Sequence, residues 1–157
     1  MQIFAKTILI SILVSVCLLL FTNLMFFFPW YMTLVIETFN LSQIAASDNY
    51  VKHTYYYDIE RRLEDKPIFR EKADKIEIIV LNKDHATAVG SDDETYYFSR
   101  SEIEKPYRQR GEPVNVEIRA VYPLSINLWD DERLEREIPV SFSLETIGLK
   151  HYKDLEY

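Results

Sequence analysis

Residues 7–36 run for 30 positions without one charged side chain. As a helix rising about 1.5 Å per residue, that run is roughly 45 Å long, against a hydrocarbon core of roughly 30 Å. A secretory signal has an apolar centre of only about 7–15 residues, followed by small residues at the cut. Here Phe26, Phe27, Phe28, Trp30 and Tyr31 stand where small residues are needed, and Ala45 and Ala46 come only after Glu37. A lipoprotein site at Cys17 fails as well, because Val16 occupies the small-residue position and apolar residues follow the cysteine. The segment reads as a retained anchor crossing the bilayer over about residues 7–28, within a first unit of residues 1–36.

Charge sets the orientation. Lys6 precedes the run and Glu37 is the first charge after it, which places the amino terminus in the cytoplasm and the rest outside. The aromatic residues from Phe26 to Tyr31 suit a belt at the outer interface. From Glu37 onward lie all 25 acidic residues and 17 of the 18 basic ones, a net charge of −8. An acidic outer domain argues against nucleic acid, whose phosphates demand clustered Lys and Arg, and suits an anionic lipid surface poorly. The expected partners are therefore the lipid bilayer and other protein subunits, with no nucleic acid. Cys17 is the one cysteine, so no disulfide forms within the chain.

Four residues stand out as candidates for assembly: Asn23, Pro29, Trp30 and Tyr55. Asn23 is the strongly polar side chain deep in the apolar run, where an amide either bonds locally or seeks a partner on another helix. Pro29 lies near the membrane boundary and can kink the helix without ending it. Trp30 belongs to the aromatic belt. Tyr55 begins the triple Tyr55-Tyr56-Tyr57, which cannot all face one core on a helix, and exposed tyrosines favour protein interfaces.

From Trp30 to Asp65 there is no Gly and no Pro. Ile44, Val51, Tyr55, Ile59 and Leu63 fall on one helical face, and Pro67 closes the pattern. The spacing predicts that the anchor continues outward as one helix of about 58 residues, with a stem over residues 37–66. Strand patterns follow in residues 67–157. KIEIIVL alternates, NKDH turns, ATAV and TYYFS read as short strands, and SEIEKPYRQRGEP is a polar connector. VNVEIRAVYPLSINLW and EIPVSFSLETI form a long hairpin reversed at DDER, with Pro123 demoting the second half of the first strand to an edge or a bend. The fold class is α+β: a long N-terminal helix, transmembrane and then stem, followed by a small antiparallel sheet of three to five strands.

Chemistry is sparse. His53, His85 and His151 sit in separate elements without metal-ligand spacing, and the acidic turns at Ser91–Glu94 and Asp130–Glu132 lack the calcium-loop pattern. No phosphate loop, nucleophile elbow or dinucleotide fingerprint occurs. No catalytic, cofactor-binding or metal residue is assigned, no cofactor is expected, and the chain is expected to be non-enzymatic.

The stem FNLSQIAASDNYVKHTYYYDIERRL and the later GEPVNVEIRAVYPLSINLW and REIPVSFSLETIG carry a resemblance in layout. The chain resembles TadE-like and pilin-like (pseudopilin) single-span membrane proteins of Gram-positive bacteria and conjugative elements. The resemblance implies a component of a surface filament, secretion or conjugation apparatus, working by assembly with other subunits or with itself. It departs from the pilin pattern in one respect: the start of the apolar run, Ala5-Lys6-Thr7-Ile8-Leu9-Ile10, has no glutamate at its fifth position. An accessory subunit or sensor of another membrane complex, and a membrane-tethered enzyme, are the alternatives.

Overall fold

The computed structural model describes residues 2–127 and 133–155. Helix α1 (Gln2–Asp48) runs unbroken through Pro29. Having no N–H, Pro29 offers no donor to the carbonyl one turn back, yet the helix continues on both sides. Among the described residues one helix, within Ile3–Asp48, is long and apolar enough to cross a membrane, and its most apolar stretch is wholly unburied. The upper part of the same helix is the spine of the head: Trp30, Leu34, Leu41 and Ala45 are core residues.

The helix ends at Asp48, about 17 residues before the expected end near Asp65. Asn49 takes a left-handed conformation with φ 60°. Asparagine tolerates that conformation because its short amide can bond nearby backbone, and it commonly ends helices. After the turn, β1 (Val51–Lys52) pairs in parallel with β3 (Val89–Gly90). Helix α2 (His53–Glu64) then runs back down the side of α1, as the contact from Lys66 to Glu37 shows. So the stem is a helical hairpin rather than a rod.

Strand β2 (Glu77–Asn82) pairs antiparallel with β4 (Pro113–Asn127), and β4 pairs antiparallel with β5 (Arg133–Ile147) along its full length. The sheet order is β2-β4-β5. Strand β4 descends along α1. Near the start of this hairpin Leu149 N–H donates to the Ala46 carbonyl, and nine residues into β4 the Tyr122 hydroxyl donates to the Asn23 carbonyl. The strand path of about 30 Å matches the helix path of about 35 Å between those points. Beyond Arg119, β4 pairs only with β5, so Pro123 lies where β4 has one free edge and its missing N–H costs no ladder bond. The expected reversal at Asp130, Asp131 and Glu132 lies outside the described residues.

Two local expectations fail. TYYFS is not a strand. Glu94–Tyr97 forms a 3-10 turn capped by Asp93, whose side chain accepts from Thr95 N–H, and the Tyr97 hydroxyl bonds the Ser91 N–H. The connector after it is not simply polar, because Lys105 and Tyr107 are buried.

Candidate functional site

Where α1 leaves the head, a groove of about 520 Å³ opens between the helix and the lower rim of the sheet. Leu19, Thr22, Asn23, Phe26, Pro29 and Trp30 form its helical wall, and Ile68, Glu71, Tyr122 and Pro123 the opposite one. Three of the four residues singled out from sequence, Asn23, Pro29 and Trp30, thus share one site. Tyr55 is elsewhere, 43% exposed on the outer side of α2, while its neighbour Tyr56 turns inward and donates its hydroxyl to the Ile78 carbonyl.

Trp30 is no lipid-facing belt residue, since it is 2% exposed. Its ring packs against Phe69 at 5.1 Å and edge-on against Tyr122 at 5.3 Å, and Tyr122 also meets Phe27 edge-on at 5.1 Å. Such pairs add about 0.5–1.5 kcal/mol each beyond the area they bury. Among the described residues the Trp30 indole N–H has no hydrogen-bond partner. The belt is therefore divided by the helix period: Phe27, Trp30 and Tyr31 pack on the sheet, while Phe26 and Phe28 stay exposed.

Four polar side chains along the apolar half of α1 bond to their own helix backbone. Thr7, Ser15 and Thr22 donate to the carbonyls four residues back, and the Asn23 amide donates to the Leu19 carbonyl at 3.0 Å. These local bonds let the helix sit in lipid without a second chain to meet its donors. Just above, Glu37 is buried against α2 and bonded by Lys66 at 2.6 Å, which locks the two helices together.

At the far end of the head a second cluster pins the tail. Tyr107 and Tyr152 stack at 3.9 Å, the Tyr152 hydroxyl donates to the Asp48 carbonyl at the end of α1, and Lys105 and the Tyr107 hydroxyl both donate to the Asp154 carboxylate. Burial, reinforced by nearby Glu94 for Tyr152 and by Asp154 for Tyr107, pushes both phenols far above their ordinary range. Burial opposes ionisation of Asp154, but the bonds from Lys105 and Tyr107 hold its carboxyl below the usual range. These phenols are fixed donors, so the cluster works as a clamp. Among the described residues no group of three or more His, Cys, Asp or Glu converges to hold a metal ion.

The groove was not foreseen from sequence because its outer wall comes from Ile68, Glu71, Tyr122 and Pro123, far from the helix in the chain. The one visible signal was the aromatic run itself. No family model, curated protein or solved structure matches this chain.

Proposed function

We propose that this protein is a non-enzymatic, single-span membrane subunit of a surface filament, secretion or conjugation apparatus, pilin-like in layout, with its amino terminus in the cytoplasm and its head outside. One observation carries the reading. Helix α1 is uncovered and apolar over its first half and is built into the core of the head over its second. A signal segment cut from such a helix would leave the head without Trp30 or Leu34 if cleaved just after them. A helix shared in this way transmits the position of the anchor rigidly to the head. The charge step from Lys6 to Glu37 supports the orientation.

A second reading, an accessory subunit of another membrane complex, is favoured by the absent glutamate near the start of the apolar run. Extraction of the native protein from membranes under mild detergent separates the two. Recovery in sedimenting filaments supports the first reading, and recovery in a discrete complex of fixed composition supports the second. Recovery as a lone soluble domain contradicts both.

A further inference from the structure

The groove at the foot of the head crosses the boundary between hydrocarbon and water. A bilayer core takes about 20 helical residues, which counted from Thr7 end near Phe26. On the helical wall, Leu19, Thr22, Asn23 and Phe26 therefore stand at hydrocarbon depth, and Trp30 just above it. From the head, Glu71 lines the same groove. A carboxylate is costly in hydrocarbon, so the end of the groove that holds Glu71 lies among headgroups. Leu19 to Trp30 is about 17 Å of helix. Along that length the lining passes from apolar to charged, which is the polarity profile of one phospholipid. The volume of about 520 Å³ falls within the roughly 300–1,000 Å³ of small-molecule sites.

The wall also carries an unmet donor. Thr22 donates to the Leu18 carbonyl, Asn23 to the Leu19 carbonyl and Tyr122 to the Asn23 carbonyl. The indole N–H of Trp30 is buried and has no partner among the described residues. An N–H left so is costly, and it points to an acceptor from outside the chain. A second transmembrane helix offers little there, because its carbonyls are already bonded within the helix. A phospholipid at this depth offers only acceptors, its ester carbonyls and phosphate oxygens.

We propose that the groove binds one phospholipid of the outer leaflet, its acyl chain along Leu19 and Phe26, an ester or phosphate oxygen accepting from Trp30, and an ammonium headgroup facing Glu71. The inference rests on the retained anchor proposed above, and goes beyond it by giving the head a lipid ligand of its own. Charge selects the headgroup. Glu71 is the one charged side chain among the residues lining the groove, and the chain from Glu37 onward carries a net charge of −8. Both favour a zwitterionic amine lipid over an anionic one. Two walls distinguish the site from the open faces of α1, where lipid packs without being held. A lipid seated there wedges between α1 and the rim of the sheet and fixes the height of the head above the membrane.

The test places the full chain in vesicles of phosphatidylethanolamine and phosphatidylglycerol in equal parts, releases it in mild detergent and weighs the intact particles by native mass spectrometry. The expected result is one retained lipid per chain, phosphatidylethanolamine in preference to phosphatidylglycerol. Thr22→Trp, at an exposed position on the wall, should fill the groove and abolish retention. Leu24→Trp, about 160° around the helix from Thr22, should leave it unchanged. Glu71→Gln should erase the headgroup preference. Trp30→Phe, which keeps a ring but removes the N–H, should weaken retention about fivefold, the effect of one hydrogen bond. Equal retention in the two tryptophan variants without headgroup preference means lipid held loosely all round the helix, and overturns the site. A wild-type chain released without lipid leaves the groove to water and overturns it too. So does a second protein that cross-links at Phe26 in place of the lipid. In all three cases an intact chain still embedded in the vesicle leaves the anchor reading standing, whereas a chain that fails to insert overturns both.

Discussion

Asn49 turns the chain out of α1 and ties three segments together. Its amide donates to the carbonyls of Arg108 and Lys150 at 2.8 and 2.7 Å and accepts from the Lys150 N–H at 2.9 Å. Asn49→Ala should destabilise the head by about 4 kcal/mol, from three lost hydrogen bonds near 1 kcal/mol each plus a left-handed conformation that alanine resists. Asn49→Gly should cost less, since glycine keeps the turn, and urea unfolding of both variants measures the difference. Gly148 exists for the same contact, because a Cβ there would lie 2.5 Å from the Asn49 side chain. Glu137 predicts a pH effect. Hydrogen bonds from Lys75 and Lys72 pull its carboxyl down from an ordinary 4.5 to about 2. Since the folded carboxyl titrates below its unfolded counterpart, its ties contribute fully above pH 4.5 and are lost as the pH falls toward about 2. Glu137→Gln should flatten the stability curve in that window and leave its slope at neutral pH unchanged. At this scale the sequence was readable where a residue's constraint is intrinsic, as for Pro123 on a free edge. It was not readable for Trp30, whose burial depends on Phe69 and Tyr122 arriving from elsewhere in the chain.

Helix α2 shows why the expected single rod was wrong. Ile59 and Leu63 are buried and lie on the face foreseen for them, but that face meets α1 and the sheet only because the chain doubles back. A helical period reports which side is apolar and not which direction the helix runs. The break was signalled only by Asp48-Asn49 and by the β-branched Val51 beyond it. The return is held by the buried Glu37 and its bond to Lys66. Lys66→Ala should cost about 2 kcal/mol, below the full penalty of a stranded buried charge because Lys66 itself is partly exposed. The paired change Glu37→Leu with Lys66→Met should recover most of that loss, because two apolar side chains of similar size leave no uncompensated charge. Chemical denaturation of the single and double variants reads both outcomes. The strands were easier to foresee. Alternation marked Ile78 and Val80, and likewise Val114, Val116 and Ile118, as one buried face, and the structure buries all five.

At the scale of the molecule, one helix does two jobs that its composition separates. Its lower half is apolar all round, with Thr7, Ser15, Thr22 and Asn23 bonded to their own backbone, and suits lipid. Its upper half has two apolar faces, one filled by the head and one left open. The layout of a long apolar helix followed by an α+β head was visible from the uncharged run and the later alternation. The open face was hidden, because only the structure shows which of the many apolar residues of the upper helix the head leaves uncovered. The account stands on the claim that this is a retained anchor working in an assembly. The most direct test is the mass of the particle released intact from native membranes, together with the intact mass of the chain in it. The account predicts a chain that still carries the apolar half of α1, within a particle several times heavier than the chain. A chain beginning near Ala46, or an intact chain recovered as a monomer without companions, would contradict it.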